Sequence, residues 1–227
     1  MSNATDKVEL IKLLVPKLRS NNHEIKQALA DADTMIVSTV IEVASSGKSV
    51  CLYASDTDVL LMLVFHWNSS MAPIYVRSDY SKSGKRVEKL FDVCEASTLL
   101  DPNIREHLLF IHAFSGCDTT SAIHDKGKNS VRKMIEKSKE AQALVKVFAR
   151  PDASQEDIGN AGIKLFTLLY GGKSGDTLQT LRYTSYMKMA STSSRIIPSK
   201  LPPTERTAFF HSLRVYLQVQ HSYYIFY

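Results

Sequence analysis

The sequence has little cysteine and no long apolar run, and both absences restrict the kind of protein it encodes. Three cysteines, Cys51, Cys94 and Cys117, are an odd number without CxxC spacing, so neither a disulfide framework nor a zinc cage is indicated. We predict that they are reduced and buried. The apolar run 59–65 is far shorter than the roughly 20 residues of a membrane helix, and the N-terminus has no signal-peptide pattern. These absences predict a soluble intracellular protein.

The charge of the chain is mild in total but uneven in its distribution. There are 28 basic and 23 acidic residues, a net charge of +5, which does not establish a nucleic-acid partner. Between Lys126 and Arg150, however, the sequence contains eight basic residues and only two acidic ones, Glu136 and Glu140. The basic residues are Lys126, Lys128, Arg132, Lys133, Lys137, Lys139, Lys146 and Arg150. The distribution predicts a local positive surface.

The apolar pattern predicts an α/β fold. Helical spacing covers residues 33–44, 58–67, 85–100 and 104–114, the last stopped by Gly116, and short apolar runs at 50–54 and 74–77 are typical of strands. Residues 78–84 have the composition of a loop. Strands that alternate with helices favour a mostly parallel sheet flanked by helices, with the run 50–54 as a buried strand.

Beyond Asp118 the sequence predicts helices. Apolar residues at 131–148 form an amphipathic stripe, 149–160 is a predicted linker, 161–172 is a helix ended by glycines, and 191–204 is a loop. A last helix begins near Pro202. We predict a lead-in over 1–29, a core domain with its basic helical segment over 30–150, and a helical C-terminal region over 151–227.

Aspartates recur in similar contexts: Asp31 and Asp33 open one helix, Asp56 and Asp58 follow a strand and open another, and Asp118 follows Gly116. Each alone is explained as a helix cap. Asp56 and Asp58, however, are predicted beyond the carboxyl end of a strand, where α/β sheets bind ligands. Carboxylates that converge there repel each other unless a cation is bound, and all-oxygen ligands favour Mg²⁺ or Mn²⁺. Two such ions are a common device for phosphodiester hydrolysis.

Together these motifs carry a resemblance to a known family. The segments DADT, SDTDVL, GCDTT and KGKNSVRKMI, in this order, resemble the second half of the nuclease domain in the flap-endonuclease-like branch of the PIN-like superfamily. The likeness is greatest to a group of often transposon-associated animal proteins of that superfamily, and LPPTERTAFFHSLRVYLQ resembles their C-terminal helical part. The resemblance extends from Ala30 to Gln220.

The resemblance implies a PIN-like, Rossmann-like fold and a nuclease that hydrolyses DNA, including structured or flap DNA, by a two-metal mechanism. Its implied Mg²⁺ or Mn²⁺ ligands are Asp31, Asp33, Asp56, Asp58 and Asp118, and its implied nucleic-acid contacts are Lys126, Gly127, Lys128, Arg132 and Lys133. DNA is a more expected partner than RNA, and a nuclear location is expected from the family.

The chain departs from the family at its beginning. The N-terminal strand and acidic ligands of these enzymes have no counterpart before Asp31, so the chain resembles a truncated form. Asp31 also stands where the family usually has a longer glutamate. These departures leave a catalytically incomplete module for nucleic-acid or protein binding as the alternative. A nucleotide-sugar transferase that uses the triplet Asp56-Thr57-Asp58 for its metal is a third hypothesis, which gives Asp31, Asp33 and Asp118 no role.

Two other features have simpler interpretations. His112 lies on an apolar helix and is predicted to be a satisfied core histidine rather than a general base. The segments SSGKS and GGKSG lack the first glycine of a phosphate-binding loop and are not interpreted as one.

Overall fold

The order of strands and helices confirms an α/β protein. A computed structural model of the protein describes residues 4–28, 32–82, 85–173, 175–192 and 195–225. In chain order the elements are α1 (Ala4–Ser20), α2 (Asp33–Ser45), β1 (Val50–Tyr53), α3 (Thr57–His66), β2 (Ile74–Lys82), β3 (Lys85–Asp92), α4 (Val93–Leu99), α5 (Pro102–Glu106), α6 (Leu108–Ser115), α7 (Lys128–Lys137), α8 (Lys139–Ala149), α9 (Gln155–Leu169), α10 (Leu178–Thr192) and α11 (Glu205–Tyr223). A single 3₁₀ turn, Pro198–Lys200, precedes α11.

The described sheet is small and mixed, with the strand order β1-β2-β3. β1 pairs in parallel with β2, with Val50 opposite Ile74, and β2 pairs antiparallel with β3, with Val76 opposite Phe91. The prediction of a mostly parallel sheet is therefore correct for the β1–β2 pairing and wrong for the β2–β3 pairing. The second pairing is antiparallel because residues 85–92 form a strand rather than a helix.

Two sequence predictions around the β2–β3 hairpin are wrong for a common reason. Val87, Leu90 and Phe91 are spaced three and four residues apart, which imitates a helix, whereas β3 extends through all of them. The predicted loop 78–84 continues β2 as far as Lys82, because β3 supplies backbone partners along its length. An Arg77–Glu88 ion pair at 2.6 Å adds a contact across the hairpin.

β1 lies at an edge of the described sheet and is not the buried strand that its apolar sequence predicts. Val50 and Leu52 are half-buried, whereas Cys51 and Tyr53 are exposed. The strand therefore buries one face only, as an edge strand with one covered side does.

Two hydrophobic clusters organise the described residues, and α6 belongs to both. The sheet cluster joins α2, α3, β2 and α4, and includes Leu108 and Leu109. The helical cluster contains residues of α5 and of every helix from α7 through α11, and it includes Phe110 and Phe114 of α6. All eight residues of α6 are buried, as expected for a helix that is apolar on all sides.

The predicted domain limits 1–29, 30–150 and 151–227 stay predictions. α7 and α8, before residue 150, share the helical cluster with α9 and α11, after it. The predicted linker is short in the structure, since α9 begins at Gln155. None of the described helices is long and apolar enough to cross a membrane.

Candidate metal centre

Asp56 and Asp58 occupy different positions at the start of α3. Asp56 is the N-cap residue, and its Oδ1 accepts a hydrogen bond from the Asp58 backbone N–H at 2.8 Å. Asp56 is exposed. An N-cap residue of this type typically adds about 1 kcal/mol to the stability of its helix. Asp58 lies in the first turn, with only 16% of its side chain exposed. The strand β1 therefore delivers two carboxylates, of which Asp58 points into the protein.

His112 and Cys117 approach Asp58 from the C-terminal part of α6 and the turn after it. The helix ends at Gly116, whose φ of 114° is a conformation that glycine alone adopts readily. A Cβ atom on Gly116 would lie 2.6 Å from the Ala122 Cα atom, so the space also excludes a side chain. This glycine allows the chain to turn and place Cys117 beside the end of the helix.

Asp58, His112 and Cys117 form a cluster, named here the DHC cluster, that can hold a metal ion. One carboxylate oxygen, one ring nitrogen and the Cys117 Sγ all lie within 4.8 Å of one another. His112 Nε2 lies 3.0 Å from Asp58 Oδ1. The three donors come from two separate helices and a turn, so tertiary packing brings them together.

The His112 ring is buried without a hydrogen-bond partner among the described residues. The residue is 5% exposed, and neither Nδ1 nor Nε2 makes a hydrogen bond. The 3.0 Å approach of Nε2 to Asp58 is thus an electrostatic contact without hydrogen-bond alignment. The prediction of a buried histidine is confirmed, and the prediction that its polar atoms are satisfied is wrong. Buried polar atoms are normally paired, so this ring is available to a ligand.

The Cys117 thiol is surrounded by hydroxyl groups. Its Sγ lies 3.3 Å from Thr119 Oγ1 and 3.2 Å from Thr120 Oγ1. Those two hydroxyls donate elsewhere, to Gln218 Oε1 at 2.7 Å and to the Ala113 carbonyl at 2.6 Å. Since each hydroxyl has one proton, the single S–H proton of the thiol is directed at one of the two hydroxyl oxygens at a time.

The cysteines are free, as predicted, but the prediction that all three are buried is wrong. Cys51 is exposed, and Cys94 and Cys117 are of intermediate exposure. Cys51 is exposed because it lies on the open face of the edge strand β1.

The other predicted aspartate ligands lie in varied positions. Asp31 lies outside the described residues. Asp33 is the first residue of α2, one position after the N-cap residue Ala32, and is half-buried. Asp118 is exposed. Neither Asp33, Asp56 nor Asp118 is a member of the DHC cluster, and their roles as ligands stay predictions.

His112 and Cys117 were not among the predicted ligands. Both belong to the segment HAFSGCD, in which Cys117 lies five positions after His112 and directly follows Gly116. The sequence shows that segment but not the burial of the ring or the approach of Asp58. A histidine and a cysteine that flank a helix-ending glycine beside an aspartate are the pattern that could have indicated them.

The predicted nucleic-acid contacts lie around the start of α7. Gly127 is its N-cap residue, and Lys128 and Lys133 are exposed. The Lys126 ammonium lies 5.3 Å from the centre of the Tyr170 ring, a cation–π contact. The remaining predicted contact, Arg132, forms an ion pair with Glu136 one turn further along the helix.

A cavity of about 520 Å³ lies apart from the DHC cluster. It is lined mainly by residues of α2, with Leu52 of β1 and Glu24 and Lys26 of the preceding segment. None of its lining residues belongs to the cluster. This cavity is therefore separate from the candidate metal ligands.

Comparisons with known proteins return no family model, no curated protein and no solved structure that matches this chain. Its function must therefore be argued from its own residues.

Proposed function

We propose that this chain is a metal-dependent nuclease domain of PIN-like architecture that hydrolyses phosphodiester bonds in DNA. The observation that carries the proposal is the convergence of His112 and Cys117 on Asp58, a carboxylate that follows the carboxyl end of a parallel strand. Ligand sites in α/β proteins lie at this edge. Two of the sequence motifs that resemble the flap-endonuclease-like branch, SDTDVL and GCDTT, contain Asp58 and Cys117.

The residues present fit a divalent ion. The DHC cluster offers a carboxylate and a buried imidazole without hydrogen bonds, and Asp33 and Asp118 are the further carboxylates proposed for Mg²⁺ or Mn²⁺. When bound, one or two such ions would polarise the phosphate and activate water for hydrolysis. Asp58 supplies the carboxylate of the cluster, and Asp56 caps the start of α3, the helix that carries Asp58.

The start of α7 is the proposed grip on the DNA backbone. Gly127 has no side chain to cap the first backbone N–H groups of the helix, and Lys128 and Lys133 add two exposed lysine side chains. A helix N-terminus and lysines together attract phosphate without reading base sequence. This arrangement supports binding to DNA of many sequences, with affinity that falls as salt rises.

A second candidate is a nucleic-acid-binding or protein-interaction module without catalysis. One observation favours it: of the four predicted aspartate ligands that the structure describes, only Asp58 belongs to the DHC cluster. Asp56 is engaged as a helix cap, which is a purely structural use.

A cleavage assay with matched variants tests the proposal. Labelled flap, duplex and single-stranded DNA are incubated with the full chain in Mg²⁺ or Mn²⁺, beside Asp58→Asn, an Asp56→Ala/Asp58→Ala double variant and the control Asp152→Asn. Asp152 is 77% exposed and lies outside the cluster. We expect cleavage by the parent chain and by the control only.

The outcomes separate the two candidates. Cleavage that survives in Asp58→Asn would overturn the site assignment. DNA binding without cleavage by the parent chain in either metal would leave the non-catalytic module as the function.

A further inference from the structure

The donor set of the DHC cluster contains information about the class of ion it takes. Mg²⁺ prefers oxygen ligands and near-octahedral geometry, whereas imidazole and thiolate ligands favour Zn²⁺ and similar borderline ions. The cluster offers one oxygen, one nitrogen and one sulfur donor. Two of its three donors are therefore of the kind that a hard ion binds poorly.

We propose that Asp58, His112 and Cys117 bind one borderline divalent ion, Zn²⁺ being the biological example, in preference to Mg²⁺. The independent observation is the His112 ring, which is 5% exposed, makes no hydrogen bond among the described residues and lies 3.0 Å from the Asp58 carboxylate. An ion bound to one ring nitrogen satisfies that nitrogen and neutralises the carboxylate beside it.

The separations of the three donors suit tetrahedral coordination after small side-chain movements. Zinc–ligand bonds of about 2.0 to 2.3 Å place neighbouring ligand atoms about 3.3 to 3.6 Å apart. In the cluster, His112 Nε2 and Asp58 Oδ1 are 3.0 Å apart and one donor atom of each residue lies within 4.8 Å of the others. Shifts of about 1 Å, of the size that side-chain torsions provide, bring the donors onto one ion.

Binding changes the protonation of Cys117. The thiol carries one S–H proton and lies beside two threonine hydroxyls, so a metal ion that binds the sulfur displaces that proton to solvent. One S–H bond is broken, one metal–sulfur bond is formed, and one proton is released for each ion taken up. Ion uptake is therefore weaker at lower pH.

Three protein ligands leave a fourth position for solvent or substrate, which is the pattern of catalytic rather than purely structural zinc sites. The inference adds a Zn²⁺-type ion at the DHC cluster to the Mg²⁺ or Mn²⁺ of the proposed nuclease, and only its catalytic consequence rests on that proposed function. The binding of the ion is measured without DNA, so the two proposals fail separately.

The test uses the full chain after chelator and reductant treatment. Uptake of Zn²⁺ is measured by competition with a chromogenic chelator in excess Mg²⁺, and Co²⁺ is used to detect thiolate ligation by its charge-transfer absorption. The variants are Cys117→Ser, which changes a single heavy atom, and Cys94→Ser, a matched half-buried cysteine outside the cluster.

We expect one equivalent of Zn²⁺ in the parent chain and in Cys94→Ser. In Cys117→Ser the affinity falls at least about 100-fold, since even residues that only support a ligand account for 10- to 100-fold. The Co²⁺–thiolate absorption disappears in the same variant. Zn²⁺ also raises the Tm of the parent chain but not that of Cys117→Ser, and a cooperative melting transition of Cys117→Ser without Zn²⁺ shows that the variant is folded.

Three results would overturn the inference: no Zn²⁺ uptake in excess Mg²⁺, equal affinity in Cys117→Ser, or Co²⁺ absorption that persists in that variant. Zn²⁺ uptake without DNA cleavage would sink only the proposed function. Mg²⁺-dependent cleavage by a chain that binds no Zn²⁺ would sink only the inference.

Discussion

His112 Nε2 lies 3.0 Å from Asp58 Oδ1, although the imidazole and the carboxylate belong to different helices, α6 and α3. The two groups meet where the sheet cluster and the helical cluster share α6. Neither group is placed there by local sequence preference. Their approach depends on how α3 packs against α6, and it makes the pair a target for substitution.

The two aspartates at the start of α3 are predicted to differ in metal binding. Asp58→Asn removes a charged ligand, so Zn²⁺ affinity falls at least about 100-fold. Asp56→Asn keeps a good N-cap residue, so both Zn²⁺ affinity and helix stability stay nearly unchanged. Chelator competition and urea unfolding measure the two effects. A large loss of affinity in Asp56→Asn would show that Asp56 is a ligand as well as a cap.

Gly116→Ala is predicted to destabilise the protein by about 2 kcal/mol or more, through strain at positive φ and overlap with the Ala122 backbone. Gly47→Ala is the matched control, since Gly47 has a φ of 85° and no atom near its absent Cβ. We expect Gly47→Ala to lose about 1 kcal/mol of stability, because this variant has the backbone strain without the steric overlap. Urea unfolding of both variants measures the difference. Equal losses would mean that the turn after α6 shifts to accept the methyl group.

A Lys128→Gln/Lys133→Gln double variant is predicted to bind DNA more weakly and with less salt dependence. Loss of two phosphate contacts reduces the slope of log affinity against log salt by about 1.8. Fluorescence anisotropy at several salt concentrations gives the slope. The control, Lys48→Gln/Lys188→Gln, removes two exposed lysines away from α7. If the control changes the slope equally, binding is a general effect of net charge.

Acid is predicted to destabilise the protein through His211. Burial lowers the pKa of this histidine, opposed by its hydrogen bond to the Phe114 carbonyl at 3.1 Å, and the nearby Arg214 lowers it further. The free energy of unfolding has its full value, as far as this histidine is concerned, above the unfolded-state pKa of about 6.5, because the neutral ring is the form that the folded state favours. That stability is lost as the pH falls below this value.

Urea unfolding at pH 7.5 and pH 5.5 tests this dependence, and His211→Gln is the variant, since its amide can still donate to the Phe114 carbonyl. We expect the parent chain to lose more stability than the variant between the two pH values. Burial lowers the pKa of His66 and His107 in the same direction, so the variant retains part of the dependence.

Local sequence was sufficient for the elements with strong periodicity or punctuation. The helices α2 and α3, the strand β1 and the helix stop at Gly116 agree with the predictions from apolar spacing and glycine. β3 was missed because its pairing with β2 overrides a helical spacing of apolar residues. The exposure of Cys51 depends on which face of β1 is left uncovered, which a strand sequence does not encode.

The candidate site was predictable only in part. The position of Asp58 beyond the end of β1 follows from the strand and helix pattern around it. The lack of a hydrogen bond at the His112 ring depends on which polar atoms the packed helices bring near, so its position on an apolar helix predicted the opposite. The use of Asp56 as a cap was one of the two interpretations open from the sequence, and the hydrogen bond to Asp58 confirms it.

The sharing of α6 by both hydrophobic clusters affects how the protein melts. Leu108 and Leu109 are held by the sheet cluster, while Phe110 and Phe114 are held by the helical cluster, all within two turns. Unfolding of either cluster releases a helix that the other one needs. The two cores are therefore expected to lose structure in one cooperative transition. An ion bound at His112 would raise the melting temperature of both.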